Sequence, residues 1–322
     1  MAISSYDHVQ DLLSGRVRPE GIDLTTMELP IEEIFFRMFS FAEWDIAEFS
    51  MAKYVSLIGT RTARFTAIPV FPSRVFRQSA FYVATGAQIR NAKDLANKRI
   101  GIPEWAQTAG VYARAFLQHQ CGVRLEDIHW VQAGVNQPGR QEKVTPSLPN
   151  GVKIETAPDR SLNEMLLAGE LDGIITAREP ASFLANDVRI ERLWPDYQPV
   201  EETYYQETGI FPIMHVVVIR NDVLERARWV AANLLQAFEE ARRNSNRRLS
   251  SIVNSTVAIP WLHQAYHRAQ QVFGKDFWPY GIDANRRTLE AFVEYCREQG
   301  VIQRAVSIDE LFPREMQQVF KV

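Results

Sequence analysis

The stretch "PIMHVVVIR" (Pro212–Arg220) sets four β-branched residues in a row behind a histidine. Such a run reads as a strong strand. Its place in the chain decides the fold. Upstream, short apolar strands alternate with helical patterns, the signature of parallel α/β sheets. "DIAEFSMAKYVSLIG" (45–59) is a strand then a helix, and "RFTAIPVF" (64–71) and "SAFYVA" (79–84) are strands. "KRIGIP" (98–103) is a strand that opens into a helix over "EWAQTAGVYARAFLQHQCG" (104–122), closed by Gly122. After the strands "IHWVQA" (128–133) and "LDGIITA" (171–177), the run at 212–220 comes late and alone, before a long amphipathic helix with apolar positions 223, 224, 227, 230, 231, 234, 235 and 238. This order predicts two α/β lobes: residues 1–83 begin the first, 84–212 form the second, and 213–322 return to the first with the strand at 212–220 and C-terminal helices. A two-lobed chain puts its ligand in the cleft between lobes, lined by loops at strand C-terminal ends.

The 322 residues are 46% apolar and 23% charged with net charge −3, ordinary globular composition. No basic surface argues for nucleic acid. Cys121 and Cys296 have neither CxxC nor zinc spacing. "HQAYH" (263–267) has the i, i+4 spacing of a zinc helix but lacks the glutamate of the zincin motif. No run is long enough to span a membrane, and "MAISSYDHVQDLLSG" has neither the basic nor the apolar region of a secretory signal. The expectation is a cytoplasmic protein. Glycine-rich phosphate loops and nucleophile elbows are absent from the sequence.

The loops expected at the cleft collect polar groups. Tyr6, Asp7 and His8 follow the first strand, and Glu48 and Ser50 end the next. "FPSRVFRQ" (71–78) supplies Ser73, Arg74 and Arg77; Glu104, Trp105, Thr108 and Gly110 open a helix that carries Arg114; Arg178 and Glu179 follow "LDGIITA". Two guanidinium groups on a loop suit a carboxylate, which Arg grips bidentately. A helix N-terminus offers free N–H groups to an anion. The alternatives are two surface arginines in unrelated ion pairs, a core histidine at His215, a surface carboxylate at Glu48 and a packing role for Trp105. The convergence favours the functional reading of the arginines.

Six segments together, "YDHVQDLLSGRVRPEGIDL", "EFSMAKY", "FPSRVFR", "KRIGIPEWAQTAGVYAR", "GVNQPGR" and "TGIFPIMHVVVIR", resemble the 4,5-dihydroxyphthalate decarboxylase family. The resemblance runs over most of the chain and is weakest after about residue 245. It implies a type 2 periplasmic-binding-protein-like fold and a cytoplasmic carboxy-lyase that converts 4,5-dihydroxyphthalate to 3,4-dihydroxybenzoate and carbon dioxide. On this reading Arg74, Arg77, the helix start at Thr108 and Gly110, and the neighbouring Asp7, Ser50, Ser73, Trp105, Arg114 and Arg178 bind a small aromatic carboxylate. The ring hydroxyls supply electrons, so no cofactor is needed, although a divalent ion near His8, Glu48 and His215 stays open. Three residues compete as the proton donor. His215 is preferred, with Glu48 polarising a ring hydroxyl; His8, oriented by Asp7, is the other. No nucleic acid or membrane partner is implied, and a homo-oligomer is left open. The competing reading is a solute-binding protein without chemistry. A pyrimidine-precursor synthase, which consumes its own histidine, fits poorly because its cysteine runs are missing.

Overall fold

The computed structural model describes residues 1–253 and 256–316. Eleven strands make two sheets: β1 (Ala2–Ile3), β2 (Met27–Glu28), β3 (Ile46–Ser50), β4 (Phe65–Ile68), β5 (Phe81–Ala84), β6 (Arg99–Ile102), β7 (His129–Gly134), β8 (Ile154–Ser161), β9 (Gly173–Ile175), β10 (Ile190–Arg192) and β11 (His215–Arg220). The first sheet has the order β2-β1-β3-β11-β4 and the second β10-β5-β9-β6-β7-β8. The late strand, β11, belongs to the first sheet. It inserts between β3 and β4 and runs antiparallel to both, with His215 opposite Ser50 and Val217 opposite Glu48. Val216 to Ile219 are wholly buried, as a central strand with both faces covered requires.

The first lobe ends earlier than expected. The expected span 1–83 takes in most of β5, but β5 pairs with β9 and β10 in the second sheet. Tyr82 packs in that lobe's own core with Val131, Leu162 and Ile174. The chain therefore crosses between lobes before Phe81 and recrosses after β10. The C-terminal part also departs from expectation. Helix Arg286–Glu298 packs against both Met51–Thr60 of the first lobe and Thr108–His119 of the second. Gln299, just beyond it, accepts from the Trp105 indole on its carbonyl at 2.8 Å and from Arg114 Nε on its side chain at 2.9 Å, and donates to the Val111 carbonyl at 2.9 Å. The closing segment is thus shared by the lobes. The long helix after β11 is broken into Asn221–Arg226 and Trp229–Leu249. No helix among the described residues is long and apolar enough to cross a membrane.

Candidate active site

Between the lobes lies a cleft of about 970 Å³, lined from the first lobe by Tyr6, Ser50, Lys53 and His215 and from the second by Glu104, Thr108, Arg140 and Arg178. Ser73 and Arg77, on the crossing segment, complete its wall. Its floor is the end of the β3–β11 ladder. His215 faces Ser50 in register, and Glu48 stands opposite Val217, so Glu48 and His215 are diagonal neighbours on one face. Their side chains meet: His215 Nδ1 lies 2.5 Å from Glu48 Oε1. A carboxylate only accepts, so Nδ1 carries the proton and Nε2 is the ring nitrogen left for the cleft. The Tyr6 hydroxyl donates to the same oxygen at 2.5 Å, and the Ser4 N–H donates to Oε2 at 2.9 Å. Burial, then the Glu48 charge, push the Tyr6 hydroxyl well above its ordinary range, so Tyr6 is a neutral donor. The Phe35 ring meets the imidazole edge-on at 4.9 Å and fixes its plane.

Beside this pair stands a cation. Arg77 donates from Nε to the Met214 thioether at 3.1 Å, and among the described residues its two terminal nitrogens make no hydrogen bond. Burial lowers its pKa to about 10, with Glu201 opposing, so it is charged at neutral pH and under-neutralised. On the far side, Glu104 accepts from Lys53 Nζ at 2.6 Å and Arg140 Nε at 2.5 Å. Arg178 pairs with Glu32 across the mouth. Four cations therefore line the cleft (Lys53, Arg77, Arg140 and Arg178) against two carboxylates outside the histidine pair, Glu32 and Glu104. An arriving anion meets an excess of positive charge.

No family model matches the chain. It is 35% identical over 323 positions to the 4,5-dihydroxyphthalate decarboxylase of Comamonas testosteroni, covering 100% of this chain and 98% of that one. The chain belongs to the 4,5-dihydroxyphthalate decarboxylase family. The Pseudomonas putida protein of that name is 38% identical over 207 residues, 64% of this chain and 80% of that one. The protein is accordingly a carboxy-lyase. Among solved structures, a putative periplasmic sulfonate-binding protein from Methylobacillus flagellatus superposes with a TM-score of 0.56 at 13% identity, covering 98% of this chain and 92% of that one. The aliphatic sulphonate-binding protein of Escherichia coli gives 0.52 at 13%, with 98% of each chain covered. These two bear out the periplasmic-binding-protein-like fold.

Several residues expected at the decarboxylase's ligand lie elsewhere. Arg74 turns away from the cleft. It is buried and donates to the carbonyls of Phe211 at 3.2 Å and Pro279 at 2.9 Å, and to the Asn285 side chain. Its guanidinium is held by the recrossing and C-terminal segments. Arg114 is wholly buried with its guanidinium 3.8 Å above the Trp105 ring, and Trp105 is equally buried; neither reaches the cleft. Gly110 serves this stack, because a Cβ there would stand 2.9 Å from Arg114 Nη1. Thr108 does line the cleft, but its hydroxyl accepts from the Ala52 N–H at 3.0 Å and shares a hydrogen bond with Ser50 Oγ at 3.0 Å, tying the lobes together. Asp7 points to Ser245 and Arg248 and does not orient His8. His8 packs among Tyr6, Trp278 and Tyr280, and burial lowers its pKa to about 4, so it is neutral at neutral pH and a poor proton donor to the cleft. Glu48 has no exposure and sits behind His215; it cannot polarise a ring hydroxyl directly. No group of three or more His, Cys, Asp or Glu side chains placed to hold a metal occurs among the described residues. His263 and His267 face each other, Nε2 to Nε2 at 2.8 Å.

Lys53 and Arg140 are the residues that sequence reasoning missed. Arg140 closes the segment "GVNQPGR", which carries the family resemblance, so a signal for it existed. Lys53 lies in "EFSMAKY", another of those segments, but looks like a surface lysine near the start of a helix; its partner Glu104, 51 positions on, shows its place.

Proposed function

We propose that this enzyme decarboxylates a hydroxylated, phthalate-type dianion, 4,5-dihydroxyphthalate in the first place, giving 3,4-dihydroxybenzoate and carbon dioxide with no electron-sink cofactor. The observation that carries this reading is the imidazole of His215, backed by buried Glu48 and presented to the same cleft wall as the unpaired guanidinium of Arg77. Arg77 takes the carboxylate that is retained. The ring carbon bearing the other carboxylate then lies against His215 Nε2. The imidazolium gives its proton to that carbon, with Glu48 holding the positive charge on the ring nitrogen opposite. The hydroxyl para to that carbon feeds electrons into the ring, the aromatic system is interrupted, and the C–C bond breaks with its electron pair returning to the ring. Carbon dioxide leaves. Solvent restores the proton on His215. Positioning of acid, ring and counter-charge is the enzyme's whole contribution, and each preorganised donor to developing charge is commonly worth about 3 kcal/mol.

Incubation of the purified protein with 4,5-dihydroxyphthalate, following carbon dioxide and 3,4-dihydroxybenzoate together, tests this. Equal amounts of the two are expected. Failure to turn over this compound and related hydroxylated phthalates overturns the substrate assignment.

A further inference from the structure

The mechanism above uses Arg77 and His215 and leaves the Lys53–Glu104–Arg140 cluster idle. This cluster is expensive to hold. Glu104 has no exposure and the Lys53 side chain is 8% exposed. Buried charges persist only when paired and hydrogen-bonded. Glu104 neutralises one cation, not two. Glu142 adds little. Its carboxylate accepts from the Trp105 and Ala106 N–H groups at 2.5 and 3.1 Å, and its pKa is raised by burial and by Glu104. Burial also draws the Lys53 ammonium below its ordinary range, against the pull of Glu104. Arg140 is bound to Glu104 through Nε alone; among the described residues its two terminal nitrogens make no hydrogen bond. Lys53, Glu104 and Arg140 all line the cleft.

The order of groups along the floor gives the cluster its partner. Arg77 touches Met214, Met214 precedes His215, His215 faces Ser50, Ser50 bonds Thr108, and Lys53 follows within the next helical turn. In this succession of contacts the acid comes between Arg77 and the cluster. A ring whose retained carboxylate is on Arg77 and whose ipso carbon is at His215 directs its para oxygen to the opposite side. We infer that the Lys53–Glu104–Arg140 cluster is an oxyanion pole that binds this ring hydroxyl as a phenolate. The inference rests on the proposed substrate class and adds a second electrostatic site to it.

The step balances. The hydroxyl loses its proton to solvent on binding, and the oxygen accepts from Lys53 and Arg140. His215 Nε2–H adds its proton to the ipso carbon, and the phenolate electrons move to make a neutral dienone. The C–C bond then breaks, its pair restores the ring and the phenolate, and carbon dioxide departs. Glu104 touches no reacting atom; it positions the two donors. The other titratable groups facing the space, Tyr6, Glu32, Arg77, Arg178 and His215, contribute a common field to any ligand.

The test reads ionisation rather than turnover. 3,4-Dihydroxybenzoate is titrated with pH in the bound state, following the ultraviolet change of the catechol on losing a proton. In the wild-type protein the bound ligand should ionise at least about one pH unit below the free ligand, since nearby opposite charges move a group by about one to three units. Arg140→Gln, at a partly exposed position, should raise that pH by about one unit; Lys53→Arg should retain it, and Arg77→Gln should weaken binding without moving it. A bound catechol that titrates like the free one, or one that fails to bind, overturns the inference. So does an equal shift in Arg77→Gln and Arg140→Gln, which would mean a general field and no pole. Carbon dioxide release from 4,5-dihydroxyphthalate is scored separately in the same preparation. A protein that ionises the catechol but releases no carbon dioxide upholds the pole and overturns the proposed reaction.

Discussion

Arg74 and Arg77 stand three residues apart on one crossing segment, and their alanine variants should fail in opposite ways. Arg74→Ala removes a buried guanidinium that donates to two carbonyls and an amide oxygen and lies 5.4 Å from the ring centroids of Phe71 and Phe211. A hydrogen bond from a charged group contributes about 1.5–3 kcal/mol and a desolvated cation–ring contact up to about 2 kcal/mol, and buried acceptors are left behind. These terms overlap, so the expected loss is about 3–5 kcal/mol. For a chain of this length that lowers Tm by roughly 6–10 °C, at about 2 °C per kcal/mol. Arg77→Ala loses a thioether contact and the longer-range attraction of Glu201 within the protein. Its stability should change little, while KM rises by about 10–100-fold, the equivalent of a lost charged pair at about 1.5–3 kcal/mol. Thermal unfolding followed by circular dichroism, together with initial rates of product formation, separates the two. Arg74→Ala with an unchanged Tm and a raised KM, or Arg77→Ala with wild-type KM, would refute the assignment of one arginine to the frame and the other to the ligand.

His215→Asn should bind ligand but lose at least about 100-fold in kcat, the usual scale for removing a general acid; unchanged kcat would place the proton donor elsewhere. Glu48→Gln should lower kcat by at least about tenfold with KM near wild type, because one amide cannot accept from Tyr6, His215 and Ser4 together; a variant that loses only stability would reduce Glu48 to a structural role. His8 carries a stability signature. Its folded pKa, about 4, lies below the ordinary histidine value, so the unfolded chain binds the proton first and stability is lost as pH falls from about 6.5 toward 4. The loss from this group is about 2 kcal/mol by pH 5. Urea unfolding at pH 7 and pH 5 should show a correspondingly smaller drop in His8→Phe, and equal drops in the two proteins would contradict the buried, neutral histidine.

Strand and helix positions were legible because each rests on a local pattern. The Val–Ile run of β11, the capping box from Ser161 to Glu164 and the positive-φ glycine at Gly122 are all written in consecutive residues. β8 was not legible. It is an edge strand whose segment "ETAPD" is polar and largely exposed, with Pro158 inside it. Side-chain direction was harder still. Ser73 and Arg77 of the loop "FPSRVFRQ" line the cleft, but nothing in the loop tells that acceptors from residues 211, 279 and 285 converge on Arg74 and not on Arg77. That Glu48 meets His215 depends on a register, Val217 opposite Glu48, that joins positions more than 160 residues apart and that no local pattern carries.

A fold by itself specifies no chemistry, so the chemistry must come from the side chains at the cleft floor. These are distributed across the lobes. His215, Ser50 and Lys53 belong to the first lobe; Glu104, Thr108 and Arg140 belong to the second. Ser50 to Thr108 and Lys53 to Glu104 are bonds between lobes. Separation of the lobes would break both and pull the cations of the second lobe away from the imidazole. These two bonds are what hold Glu104 and Arg140 of the second lobe to the same cleft as the imidazole. The Glu48–His215 pair, by contrast, is built wholly within the first sheet and depends on neither bond.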